Sequence, residues 1–329
     1  MSRSSLGLTA LWLVLFGLAA ASLLCGRVWL SPAQVLHGLV SPHPNLAGLI
    51  VVELRLPRTV LAIVMGAALG LSGAALQGLT RNPLAEPGLL GATAGAALGA
   101  VVAIYFGLAT TFILAGPLFG LLGALGATAL TFALGRGGGS VALILAGAAV
   151  SGLAAAGVSL ALNLAPNPYA AYEIMTWLMG SLTDRSWDQV YLALPFILAG
   201  CAILAWTGRS LDALTLGETQ AQSLGVDLDR LRAFVLIGTA MAVGAATSVT
   251  GAIGFIGLVA PHLVRPLVGQ QPSRVLFPSA LAGAALLLAA DIATRLIHVG
   301  PEMKLGVLTS LIGTPFFFWL VVRLRRTAP

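Results

Sequence analysis

Ten apolar runs, most about twenty residues long, leave this chain few ways to fold. They cover residues 6–27, 58–79, 88–108, 111–134, 141–164, 190–206, 231–250, 254–269, 276–297 and 305–323. About twenty apolar residues in a helix cross roughly 30 Å of hydrocarbon. The expected fold is an all-α polytopic membrane protein, with ten transmembrane helices in one domain over residues 1–329. A soluble domain on a single anchor is excluded, because 58% of the residues are hydrophobic and only 9% are charged. The net charge of +6 comes mostly from arginines at helix ends, which suits anchoring in lipid and argues against nucleic acid as a partner. Cys25 and Cys201 lie in apolar runs, and their spacing suggests neither a disulfide framework nor a metal site.

The first run is long enough to span, and Leu24 before Cys25 is too large for lipoprotein processing, so it reads as a helix and not a cleaved leader. A short helix is expected at Pro32–Leu39 and a Pro/His turn at 41–44. An amphipathic piece is expected at Tyr172–Leu182. The eighth run carries Pro261 in its interior and is expected to be kinked or broken there.

Thr207–Arg232 is the longest stretch that could not sit in lipid. Ser210 can cap a turn whose Leu211 and Leu214 share a face. Gly217 then breaks the chain, a second helix runs from Glu218 to Leu224, and Gly225 sits where a left-handed glycine would end it. Asp227 offers a cap for the next span. A folded polar knob of this kind is a docking surface; a solvated loop is the alternative.

Arginine placement sets the expected orientation. With the N-terminus in the cytoplasm, eleven basic residues fall inside and six outside, as the positive-inside rule asks. The knob and both termini are then cytoplasmic. A weak inverted repeat fits: Arg58 opens the second span and Arg232 the seventh, with Gly70 and Gly244 at matching offsets. Gly66 and Gly70, then Gly91, Gly95 and Gly99, then Gly116 and Gly120 are spaced four apart. Such spacing lets backbones approach, either as static packing or as a sliding pair.

Several strings carry a resemblance. They are RLPR at 55–58, GLSGAALQGLTRNPLAEPGLLG at 70–91, LGETQAQSLGV at 216–226, GFIGLVAPHLVR at 254–265 and KLGVLTSLIGTPFFFWLV at 304–321. Together they resemble the permease subunits of bacterial ABC importers for iron–siderophore complexes, haem and vitamin B12, over nearly the whole chain. The resemblance implies a ten-span inner-membrane subunit that pairs with a second copy of itself. It also implies two ATPase subunits that carry the ATP and Mg²⁺, and a periplasmic binding protein that delivers cargo. No cofactor is expected in this chain, and no Gly-rich loop ending in Lys-Ser or Lys-Thr is present to cradle a nucleotide.

The same resemblance gives candidate sites. The knob between spans six and seven would dock on the ATPase through Leu211, Leu214, Gly217, Glu218, Gln222 and Gly225. Arg55, Arg58 and Arg295 would meet acidic residues of the binding protein; an internal role, with Glu53 near Arg55 and Asp291 beside Arg295, is the alternative. Ala148, Ser151, Ala155, Ser159 and Asn163 recur at helical spacing along the fifth span and suit a pathway wall or a packing face. Tyr169, Tyr172 and Trp177 lie just beyond that face.

The runner-up is an ion-coupled secondary transporter, which would hold a carboxylate or histidine relay at mid-membrane. Asp291 is the main ionisable residue inside a span, and it sits four residues from Arg295 near one end. His262 has no second catalytic group placed beside it and is expected to bond a neighbouring carbonyl. An enzyme is not expected.

Overall fold

The computed structural model describes residues 3–26, 28–40, 45–112, 114–297 and 303–327. Arg27 and the turn expected at 41–44 lie outside these residues. The chain begins with α1 (Arg3–Leu24) and the short α2 (Pro32–Val40). A long α3 (Leu46–Thr80) follows, with a wide π turn over Ile50–Arg55. Then come α4 (Ala92–Tyr105), α5 (Ala115–Gly135), α6 (Gly139–Asn163) and the short α7 (Pro168–Leu178). After α8 (Trp187–Trp206), α9 (Gly208–Leu214) and α10 (Glu218–Ser223) form the knob. The chain finishes with α11 (Leu228–Thr250), α12 (Ile256–Val268), α13 (Pro272–Leu296) and α14 (Leu305–Thr327).

Eight of these helices are long and apolar enough to cross a membrane; α4 and α12 are apolar but shorter. At 1.5 Å per residue they rise only about 20 Å, so each needs help to complete a crossing. Irregular segments supply it: residues 81–91 lead into α4 and residues 251–255 into α12. The ten expected crossings are therefore eight full helices and two part-helices. One end of the bundle carries the knob; the opposite end, the rim, carries Arg55, Arg58 and Arg295.

The two irregular entries meet. The Glu86 carboxylate accepts the backbone N–H of Phe255, and Pro87 lies against Gly257. Phe255 takes a left-handed conformation (φ 67°), which a bulky residue adopts only where its surroundings impose it. The break falls at 251–255 and not at Pro261, which sits inside a continuous α12. Proline removes the donor that the Gly257 carbonyl would have received. The backbone of Gly73 packs directly on that carbonyl, at a place where any Cβ would collide.

The inverted repeat shows in the packing. α3 lies along α13, with Gly66 and Gly70 against the backbone of Gly283 and Ser279. α11 lies along α5, with Gly244 against Ala124. Gly95 and Gly99 meet the backbone of Gly123 and Phe119 between α4 and α5. The glycines thus bring backbones into contact. Gly116 has open space around it, Gly91 meets the side chains of Thr131 and Val150, and Gly120 packs on Ser248. The largest apolar cluster runs between α3, α8, α11 and α13; a second fills the knob end.

Candidate functional site

Three regions concentrate polar chemistry in this apolar bundle: the knob, the rim and a cavity near the α11–α12 break. In the knob, α9 starts at Gly208, two residues before the Ser210 expected to cap it. α8 runs almost directly into it, so no separate cap is required. Gly217 (φ 111°) breaks the two helices and Gly225 (φ 86°) ends the second, as their placement predicts. Asp227 caps α11 by accepting the Arg230 N–H at 3.1 Å.

Leu211 and Leu214 do share a face, but it is the inner one. Both are buried, Leu211 fully, against α3 and α13. These two cannot touch an ATPase; they fasten the knob to the bundle. The outward apolar residues are Leu216 and Leu224, 62% and 65% exposed, with Gln222 beside them. Glu218 turns sideways and pairs with Arg232 at 3.1 Å, which also reaches Asp229 at 3.4 Å. Gly217 and Gly225 set the knob's shape through their positive-φ backbone, and Gly225 is exposed.

Asp212 faces the start of α13. Its carboxylate accepts the Ser273 N–H at 2.8 Å, the Ser273 hydroxyl at 2.6 Å and the Gln271 amide at 2.6 Å. Burial alone would raise its pKa, but the Ser273 and Gln271 bonds and nearby Arg274 hold it below the ordinary carboxylate value. Asp212 therefore stays ionised throughout the neutral range. Replacing Gly225 with Val would force a β-branched residue into left-handed backbone at a cost of about 1–2 kcal/mol. The expected result is a distorted α10 end and less ATPase co-purifying per permease, with membrane insertion kept.

At the rim, the three arginines point inward. Arg55 and Arg295 are only 6% and 8% exposed. Arg55 donates to the carbonyls of Leu23, at 2.6 Å, and of Val28. Arg295 donates to the Ser22 carbonyl at 2.8 Å and to the Ser22 hydroxyl at 3.1 Å. The Ser22 and Leu23 carbonyls belong to the last turn of α1, where acceptors lack helical partners and the dipole favours cations; Val28 lies just beyond it. Asp291, fully buried, pairs with Arg58 at 2.8 Å and with Arg295.

The contacts match the internal alternative in part. Arg55 and Arg295 close the end of α1, and Arg58 and Arg295 neutralise Asp291, so none of the three is a free prong on the surface. The partner expected for Arg295, Asp291, is present; the one expected for Arg55, Glu53, is not, since Arg55 bonds carbonyls instead. The arginines still line a cavity of about 500 Å³, together with Asp184, Arg185 and Thr294. Burial pulls the Arg185 pKa down and Asp184 opposes this.

The fifth-span face is open: Ala148, Ala155, Ser159 and Asn163 are exposed in the single chain. Ser151 donates to the Gly88 carbonyl at 3.3 Å and so ties this face to the 81–91 turn. Tyr169 and Tyr172 are exposed beyond it. None of these five α6 residues lines the larger cavity nearby, of about 700 Å³. That cavity is walled by Met179, Ala252, Gly254, Ser310 and Thr314, among others. Three segments converge there: Ser181 N–H donates to the Thr250 carbonyl at 2.7 Å, and Gly306 N–H to the Gly180 carbonyl at 3.3 Å. The signal for this site was present in Ser310 and Thr314, four apart on the last apolar helix, and in the glycines of 251–254.

His262 bonds the Leu258 carbonyl one turn back at 2.8 Å, as expected of a structural histidine.

Comparison with known proteins now places this architecture. The family model of the FecCD transport family matches residues 13–323. The chain is 41% identical to the hemin transport system permease protein HmuU of Yersinia pestis, over 83% of each chain. It is 37% identical to the vitamin B12 import system permease protein BtuC of Klebsiella pneumoniae, over 98% of this chain and 95% of that one. A solved metal-chelate type ABC transporter, in an inward-facing conformation, superposes with a TM-score of 0.83 at 34% identity, over 96% of this chain and 98% of that one. With ten crossings, a knob at one end and an arginine rim at the other, this chain belongs to the FecCD transport family.

Proposed function

We propose that this chain is the membrane-spanning subunit of an ATP-driven importer for a bulky chelate: an iron–siderophore complex, haem or a corrinoid. It works as a pair with a second copy of itself. The knob docks on a separate ATPase subunit, one per permease, which carries the ATP and Mg²⁺. The rim faces the periplasm and receives a binding protein, whose acidic side chains enter the arginine-lined cavity. The protein sits in the inner membrane with both termini in the cytoplasm.

The observation that carries this reading is the broken backbone at 251–255 beside the 700 Å³ cavity. In lipid, non-helical backbone persists only where it is buried in protein or lines a water-filled route. Ala252 and Gly254 of this break face Ser310 and Thr314 across the cavity, so small and hydroxyl groups border a space of cargo-binding scale. The open small face of α6, joined to the 81–91 turn through Ser151, extends such a route toward the knob end.

Two experiments test the arrangement. Leu216→Asp with Leu224→Asp should abolish co-purification of the ATPase while the permease still inserts. Unchanged co-purification would remove the knob from the interface. In a background lacking Cys25 and Cys201, a cysteine at Tyr169 should react with impermeant thiol reagents in intact cells. One at Gln220 should react only after permeabilisation. The reverse pattern would invert the topology.

A further inference from the structure

α13 begins in an unusual way. Its first residue is Pro272, its flanking Gln271 makes no side-chain cap, and the acceptor for the Ser273 N–H comes from another helix. That acceptor is Asp212 of the knob. Both carboxylate oxygens are used, one by the Ser273 N–H and the other by the Ser273 hydroxyl and the Gln271 amide. Gly208 packs on Ser273 and Leu276 immediately beside them. A cap drawn from a neighbouring element serves helix stability no better than a local one would. What it adds is a fixed bond between two elements.

The other end of α13 lies at the rim. Its final turns hold Asp291 and Arg295, which grip Arg58 of α3 and the last turn of α1. Between the ends, just past Pro278, Gly283 and Ser279 lie in backbone contact with Gly66 and Gly70, which holds α13 tightly against α3. The second knob helix is fastened elsewhere: Glu218 of α10 pairs with Arg232 of α11, and Gly217 separates the two halves. α11 leads to the break at the cavity. The two knob helices thus hold two different spans.

We propose that Asp212 is a positioning residue that links the ATPase-facing knob to the arginine rim, with α13 as the rigid rod between them. This rests on the importer reading above. Arrival of the binding protein at the rim shifts α13, and Asp212 hands that shift to α9. The Glu218–Arg232 pair makes a separate connection, between α10 and the cavity.

The test uses the assembled complex of permease, ATPase and cognate binding protein in liposomes. The readout is the factor by which added binding protein raises ATP hydrolysis. In the wild type this factor should be about fivefold or more. Asp212→Ala should bring it close to one. Asp212→Asn, which keeps one acceptor oxygen, should give an intermediate factor.

A second variant separates linkage from helix capping. Asp212→Ala with Gln271→Asp gives α13 a local cap and restores thermal stability, yet the response should stay lost. A full response in Asp212→Ala would overturn the link, as would its recovery in the double variant, while the importer reading stood. A wild-type complex with no response at all would overturn that reading and the link with it.

Discussion

Replacing Asp291 with Ala is expected to destabilise the bundle by about 3–5 kcal/mol, the usual cost of removing one member of a buried ion pair. The carboxylate is fully buried and each of its oxygens meets a different arginine. Without it, Arg58 and Arg295 lose the charge that offsets their own removal from water. Arg295 also reaches the Ser22 and Cys25 carbonyls, so disturbance there spreads to the end of α1. In detergent, the unfolding temperature should fall by roughly 10 °C. Arg55→Glu should be comparably harmful, since it sets a carboxylate against the Leu23 and Val28 carbonyls. A substitution meant to weaken docking would therefore weaken folding first. Stability close to the wild type in Asp291→Ala would show that the buried network is not what closes the rim.

The second large effect is expected at Gly70. A Cβ there would collide with the Ser279 carbonyl, a backbone atom that cannot turn aside. Gly70→Leu must push α13 away from α3. Overpacking of a tight core costs about 1–3 kcal/mol when side chains can yield, and more where only backbone is available. The expected outcome is loss of folded protein from the membrane, read as the monodisperse fraction after extraction. Gly116→Leu is the matched control: it has the same spacing motif, but nothing lies near its Cβ position. Equal yields from the two variants would remove the packing explanation.

That pair of glycines shows what the sequence could and could not disclose. Spacing four apart marks a helix face that is smooth, but not whether a neighbour lies on it. Gly70 and Gly116 look alike in the chain and differ only in tertiary surroundings. Leu211 and Leu214 are a similar case. Their shared face follows from helical periodicity, whereas its inward direction depends on α3 and α13, distant in sequence. Arg55, Arg58 and Arg295 do gather at one end of the bundle, as expected where charge cannot lie deep in lipid at low cost. Their burial was not legible, since it depends on the carbonyls of α1 more than thirty residues or whole spans away.

Apolar runs identified the crossings well, for the energetic reason that they are long and continuous. They overestimated α4 and α12, where glycine and proline replace helix with irregular backbone. The break at 251–255 escaped because Pro261 is the stronger local signal. In the folded protein Gly73 accommodates the carbonyl that Pro261 leaves unpaired, and the helix continues. The knob was the most legible of the candidate sites. Its charges could not enter lipid, and Gly217, Gly225 and Asp227 acted as their local chemistry dictates.

ATP hydrolysed on a separate subunit is expected to power transport. Proteoliposomes would carry the permease and its ATPase, with binding protein loaded with haemin or cyanocobalamin added at the rim face. Accumulation of one cargo should require ATP at the knob face and should persist when proton and sodium gradients are collapsed. Uptake that proceeds without ATP, driven by an imposed proton or sodium gradient across vesicles holding this chain alone, would contradict it.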